Sequence, residues 1–138
     1  MKQKYMMVDR PPTVHEYINL CKSVGWGNMN FEFAEEAIGN SVYATVITLG
    51  EEVVGMARII GDGKMYFYFQ DIAVSPDHQN RGLGKRLIDQ LFTYLKKNAP
   101  SPAFIGLFST DEGYALYEKY GFQVPSDMKG MYRLTPVE

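Results

Sequence analysis

One short stretch of the sequence has residue types suited to binding an anion: "HQNRGLGKRL", residues 78–87. Gly82 and Gly84 lie two positions apart among three basic residues, and an apolar helical pattern begins at the same point. The first turn of a helix has backbone N–H groups without intrahelical partners and carries a partial positive charge. Because glycines also let a ligand approach the backbone closely, the stretch predicts a phosphate-binding turn.

The two common nucleotide motifs do not fit this stretch. A P-loop requires a glycine where Gln79 stands and a serine or threonine where Arg86 stands. A dinucleotide fingerprint requires a third glycine where Leu87 stands. From the residues alone, a phosphate site of another kind stays open, and so does a purely structural role in which the glycines permit close packing of helix and sheet.

Length, charge and cysteine content limit the class of protein. The 138 residues suit one domain, and the net charge of −2 gives nucleic-acid binding no electrostatic support. Cys21 is the only cysteine, so no disulfide forms within the chain and a reducing, cytoplasmic location is expected. No apolar run approaches the ~18 residues that cross a membrane. No cluster has the spacing of metal ligands, so no metal is expected.

The elements before the motif are predicted as helices followed by an antiparallel meander. Thr13 and Glu16 fit a capping box that opens a helix over 14–24, and a short second helix ends at Gly39. Tight turns containing glycine separate three strand-like runs. The strands are expected over 42–49, 53–60 and 65–74, after a short first strand over 4–8. The run 65–74 is apolar or aromatic at both alternating sets of positions, which predicts a strand covered on both faces.

The elements after the motif predict a crossover connection. Leucines recur every four residues from Leu83 to Leu95, which indicates a helix of about 16 residues between two strands. The strand 103–108 should therefore run parallel to 65–74. A helix over 112–120 and a last strand over 131–134 complete the chain. The fold class is α+β, a mixed α/β sandwich around one mixed sheet.

A third glycine motif, Q-x-x-G-x-G, does fit and is realised as Gln79 to Gly84, after a strand ending in "IAV". With this motif, with "YALYEKYGF" over 114–122 and with the predicted order of elements, the chain resembles the GNAT superfamily of acetyl-CoA-dependent N-acetyltransferases. The resemblance covers nearly the whole chain. It implies a single acetyltransferase domain over 1–138, an acyltransferase activity and a sheet whose two parallel strands splay apart.

The resemblance also implies where acetyl-CoA binds. The backbone at the end of the third meander strand would pair with the pantetheine arm, as an added strand does. The loop and first helical turn after it would hold the pyrophosphate. The cofactor-binding residues implied are Ile72, Ala73, Val74, Gln79, Asn80, Arg81, Gly82, Leu83, Gly84 and Lys85.

For catalysis, the resemblance implies that Tyr117 donates a proton to the leaving thiolate of CoA. From the residues alone, the favoured interpretation of Tyr117 is a core aromatic on an amphipathic helix. Thr110 stands where family members often carry an asparagine that contacts pantetheine, and whether Thr110 replaces that contact stays open. The general base is not identified: Tyr68, Gln70 and Asp71 border the site, strand alternation turns Asp71 away from the other two, and a chain of water molecules is an equal candidate.

The acceptor side is predicted to be aromatic. Trp26 and Phe31 lie in the segment that joins the first two helices, and Tyr68 lies on the facing strand. An aromatic, sparsely charged wall suits a small apolar amine better than a polycation, although these aromatics could simply close the core. A protein or peptide acceptor, a non-catalytic acyl-CoA-binding regulatory domain and a structural module stay open. A homodimer is compatible with the sequence.

Overall fold

The structure, a computed structural model, describes residues 3–137 and contains a five-stranded mixed sheet. The strands are β1 (Tyr5–Val8), β2 (Tyr43–Leu49), β3 (Glu52–Gly61), β4 (Tyr66–Val74) and β5 (Phe104–Gly106). The helices are α1 (Val14–Ser23), α2 (Ala34–Gly39), α3 (Leu83–Asn98) and α4 (Tyr114–Glu118). A 3-10 turn over Pro76–His78 follows β4. Spatial order in the sheet follows chain order.

The strand directions confirm the predicted α+β fold. Strands β1 to β4 pair antiparallel with their neighbours, and β4 pairs parallel with β5 through the crossover helix α3. The chain divides into two compact units, Met1–Leu107 and Phe108–Glu138. The first contains the sheet and α1 to α3, and the second contains α4. Among the described residues, none of the helices combines the length and apolar character needed to cross a bilayer.

Local sequence signals explain the bounds of several elements. At the start of α1, the Glu16 backbone N–H donates to the Thr13 hydroxyl and the Thr13 N–H donates back to the Glu16 carboxylate, as the capping box predicts. In the turn from β3 to β4, one carboxylate oxygen of Asp62 accepts three backbone N–H groups, those of residues 64, 65 and 66. These bonds hold the pKa of Asp62 below its ordinary value and fix the turn.

Helices pack on both faces of the sheet. Helix α3 buries the predicted leucine stripe on one face, where Phe92 contacts Phe69 of β4 edge to face. Phe69 pairs with Ile59 across the strands, so the adjacent Arg58 points to the other face. There it contacts Tyr17 of α1. Cys21 of α1 is fully buried in that layer, as predicted.

Two predictions about strands were wrong. Within the described part of the second unit, residues 131–134 do not form a strand, and Met131 and Tyr132 are more than four-fifths exposed. Strand propensity depends on a paired and packed surface, which this segment lacks in the structure. The first half of β4 is covered on one face only, because Tyr66 and Tyr68 are exposed, whereas Ala73 further along is buried against α1. Tyrosine combines an apolar ring with a polar hydroxyl, so it also suits an exposed face.

Candidate active site

One edge of β4 is open over its second half. The parallel pairing with β5 extends only from Tyr66 to Tyr68, which lies opposite Gly106, whereas β4 continues to Val74. Among residues 3–137, no strand pairs with that edge of β4 from Gln70 onward. Backbone N–H and C=O groups near Ile72, Ala73 and Val74 therefore have no strand partner on this edge and can pair with an extended ligand that contains amides.

The loop that follows β4 is tied to the end of the strand. The Gln79 side chain donates from Nε2 to the Val74 carbonyl oxygen at 2.9 Å. Asn80 and Gly82 both adopt left-handed backbone conformations, with φ of 64° and 78°. The Gln79 amide therefore anchors the loop to the strand, and the backbone of this turn is available to meet a ligand.

The N-terminus of α3 faces open space. Gly82 is its N-cap, no side chain caps the first turn and no acidic residue lies there. A Cβ atom placed on Gly82 or Gly84 would meet no atom within 4 Å. The two glycines are therefore not required for close packing of helix and sheet. This excludes the purely structural role that the sequence left open for them. Gly82 is explained by its φ, but Gly84 has no such requirement. An anion approaching the uncapped N–H groups fits this open turn.

The side chains around the turn have separate roles. Leu83 is the first residue of α3 and its side chain is buried, so only its backbone can face a ligand. The Lys85 ammonium lies 2.9 Å from the Asp89 carboxylate one turn later, and both groups are exposed. An exposed pair at this spacing contributes little stability. Arg81 is exposed at the loop, and it adds positive charge beside the helix N-terminus.

A β-bulge interrupts β4 just before its open segment. Met56 pairs with Ala73 and Arg58 pairs with Gln70, so Asp71 and Ile72 together lie opposite the single residue between Met56 and Arg58. Asp71 has a φ of 58°, which is unusual for a residue other than glycine.

The bulge overturns the predicted orientation of Asp71. Its carboxylate accepts from Arg58 Nε at 2.7 Å, and Arg58 lies on the same face as its partner Gln70. Asp71 also accepts from the Tyr17 hydroxyl at 2.7 Å. The sequence pattern does not point to Arg58 or Tyr17 as part of the site, although Arg58 is the one charged residue within the apolar run 53–60. The buried Asp71 carboxylate is thus an ion-paired group.

The predicted acceptor-side aromatics lie in two different environments. Trp26 and Phe31 pack against the core cluster of α1, where the Phe31 ring lies 6.3 Å from that of Tyr17. Tyr68 is 37% exposed, and with Tyr66 and Phe104 it forms what we call the aromatic patch. The centroid of the Phe104 ring lies 5.8 Å from that of Tyr66 and 5.7 Å from that of Tyr68. Trp26 and Phe31 are therefore partly buried against the core, and the patch is one exposed aromatic surface, as is Phe33 before α2.

Tyr117 belongs to the second compact unit. It lies on α4, and its ring contacts that of Phe122 edge to face at 6.0 Å. Burial raises the pKa of Tyr117, so its phenol stays protonated at neutral pH. Thr110 accepts the Gly113 N–H through both its carbonyl and its hydroxyl. The residue in place of the family asparagine thus closes the turn before α4.

The chain is similar to acetyltransferases in sequence and in structure. A family-wide sequence profile described as an acetyltransferase (GNAT) domain matches residues 40–124. An uncharacterized N-acetyltransferase, ycf52, of Pyropia yezoensis is 31% identical over 95% of this chain and 77% of its own length. Histone acetyltransferase TAP1 of Glycine max is 30% identical over 86% of this chain and 56% of its own length.

A solved structure shares the fold over almost the whole chain. It is protein SA2161 of Staphylococcus aureus, described as a protein of unknown function and probable acetyltransferase. It matches with a TM-score of 0.88 and 26% identity, covering 96% of this chain and all of the other. The chain belongs to the GNAT family of N-acetyltransferases. It is accordingly an acyltransferase.

Proposed function

We propose that this acyltransferase transfers an acetyl group from acetyl-CoA to the primary amine of a small apolar or aromatic molecule. The observation that carries the proposal is the open edge of β4, which leads directly into an open, uncapped glycine turn. We take residues 1–138 as one catalytic domain. In support, the family profile extends from residue 40 to residue 124, across the boundary between the two compact units.

The proposed binding mode uses backbone groups for both halves of CoA. The segment Ile72–Val74 would pair with the amides of pantetheine, since its edge has no strand partner in the described chain. The turn from Asn80 to Lys85 would hold the pyrophosphate through N–H groups at the start of α3. Gln79 supports this arrangement indirectly, because its amide fixes the loop to the Val74 carbonyl.

The proposed chemistry is direct attack of a neutral amine on the thioester carbonyl carbon. The C–N bond forms, the carbonyl oxygen becomes an oxyanion, and the C–S bond then breaks to release the thiolate. A backbone N–H near Val74 would donate to the oxyanion. Tyr117 would donate its phenolic proton to the thiolate. The amine loses a proton to solvent as the amide forms, and the tyrosinate takes a proton back from solvent, which restores the enzyme. The phenol of Tyr117, whose pKa is raised by burial, is protonated at neutral pH and so carries the proton that this step requires.

Acetyl-CoA should stabilise the folded protein. A ligand that binds only the native state adds ~2.7 kcal/mol when its concentration is a hundred times the dissociation constant. We expect a rise in Tm when acetyl-CoA or CoA is added at millimolar concentration, measured by a thermal melt. ATP at the same concentration is the control for a nucleotide polyanion. An unchanged Tm with CoA, or an equal rise with ATP, would contradict the proposed cosubstrate.

The acceptor should be an arylalkylamine rather than a polycation. The aromatic patch offers three exposed rings without charge, whereas an aminoglycoside calls for several carboxylates. In a competition assay we expect arylalkylamines to be acetylated in preference to polyamines and aminoglycosides. Tyr68→Ala should raise KM for the amine, because it removes a ring of the patch. The control Tyr94→Ala, which removes a ring stacked on Tyr43 on the α3 face, should leave that KM unchanged.

A protein acceptor is the second candidate, because the Glycine max relative is named a histone acetyltransferase. The same competition assay therefore includes lysine-containing histone peptides. Preference for the peptides would replace the small-molecule proposal by a protein-acetylating one. An unchanged KM in Tyr68→Ala would remove the aromatic patch from the acceptor site in either case. The homodimer stays a prediction.

A further inference from the structure

The bulge in β4 depends on a conformation that Asp71 does not favour by itself. A residue other than glycine with φ near 58° is retained where its surroundings fix it. The bulge comes directly before Ile72–Val74, the segment with the open edge. Because side chains and backbone groups alternate sides along a strand, removing the bulge would turn every group after it to the opposite side.

Side chains from two other elements hold Asp71. Arg58 of β3 and Tyr17 of α1 both donate to the same carboxylate oxygen at 2.7 Å, and the Asp71 side chain is only 3% exposed. Arg58 is itself held by Ser41, whose Oγ lies 3.3 Å from Nη1, and its guanidinium lies over the Tyr17 ring at 5.9 Å. These contacts tie the bulge to α1, to β3 and to the segment before β2.

The protonation states suit this arrangement. Burial, followed by the hydrogen bond to Asp71, raises the pKa of Tyr17 well above its ordinary value. Its hydroxyl therefore remains a donor throughout the physiological range. A buried carboxylate that accepts from a guanidinium and a phenol has the partners it needs. In the described residues no buried side-chain polar atom is left without a hydrogen bond.

We propose that Tyr17 and Arg58 are positioning residues for the transferase reaction: they hold Asp71, and through the bulge they direct the backbone groups of Ile72–Val74 toward acetyl-CoA. The proposal rests on the proposed function for its consequence in catalysis. Neither Tyr17 nor Arg58 is proposed to contact the reacting atoms. Their effect is transmitted by the strand, whose backbone must lie in one register to present an N–H group to the developing oxyanion.

The test is Tyr17→Phe, which removes one hydrogen bond to Asp71 and keeps the ring in the core. We expect kcat to fall about tenfold or more at a temperature where the variant is fully folded, because small misplacements of catalytic groups are costly. We also expect shifted amide NMR signals for residues 72–74. Asp71→Asn, which keeps the side-chain shape, should give the same pattern.

The matched control is Tyr43→Phe, which removes a hydrogen bond between a tyrosine hydroxyl and Gln90 on the other face of the sheet. It should lower Tm without changing kcat or the amide signals of residues 72–74. If Tyr17→Phe and Asp71→Asn leave both readouts unchanged, or if Tyr43→Phe changes them equally, the positioning role is wrong. If the wild-type protein acetylates no amine, the proposed function fails, and the amide signals alone decide whether Tyr17 and Asp71 hold the bulge.

Discussion

Tyr117→Phe should lower turnover by about 10²–10⁴-fold, the usual contribution of general acid catalysis. The hydroxyl is proposed to act only on the leaving sulfur, so its loss belongs to the transition state and affinity for acetyl-CoA should change little. The phenyl ring would keep its edge-to-face contact with Phe122, so the fold of α4 should persist. The measurements are kcat under conditions limited by chemistry and the dissociation constant of CoA.

The matched control is Tyr114→Phe, an exposed tyrosine on the same helix. It should retain wild-type turnover, because its hydroxyl has no proposed role. An unchanged kcat in Tyr117→Phe would contradict the proposed acid role and would indicate that Tyr117 is a core aromatic. An equal loss in both variants would indicate a general disturbance of α4.

Gly84→Ala should have opposite effects on stability and on ligand affinity. Gly84 lies within α3, has no positive φ, and a Cβ atom there meets nothing within 4 Å. In the free protein the substitution should therefore add up to roughly 0.5–1 kcal/mol of stability, the usual gain of alanine over glycine in a helix. If the pyrophosphate approaches this backbone, the added methyl group should weaken CoA binding about tenfold, or ~1.4 kcal/mol.

Gly39→Ala at the end of α2 is the control, since a Cβ atom there also meets open space. It should leave CoA affinity unchanged. The two quantities are measured by chemical denaturation without ligand and by calorimetric titration with CoA. Unaltered CoA affinity in Gly84→Ala, and also in the bulkier Gly84→Val, would show that this turn is not the phosphate site.

Much of the first unit could be predicted because its signals are local. The capping box of Thr13 and Glu16, the leucine repeat of α3 and the glycine turns each involve residues close together in sequence. Local hydrogen bonding and side-chain period determine such elements with little help from the rest of the chain. The position of the glycine motif at the start of α3, shortly after a strand, could be predicted for the same reason.

The parts that failed depend on contacts between distant segments. Alternation predicted the wrong face for Asp71, because the bulge is fixed by Arg58 and Tyr17, which lie 13 and 54 positions away. The apolar residues of 131–134 favoured a strand, but a strand also needs a partner, and sequence pattern alone cannot supply one. The open edge of β4 likewise follows from where pairing with β5 stops.

The order of the sheet has a consequence for conformational entropy during folding. Strands β2 and β3 are separated by two residues, 50–51, and β3 and β4 by four, 62–65. In contrast, 34 residues (9–42) separate β1 from its partner β2, and 29 residues (75–103) separate β4 from its partner β5. Closing a loop costs more as it lengthens, by about 0.6 kcal/mol per doubling for flexible chains. The meander is thus the least costly part of the sheet to assemble. The larger loop-closure cost lies with the two outer strands, including β5, whose pairing with β4 stops at Gly106.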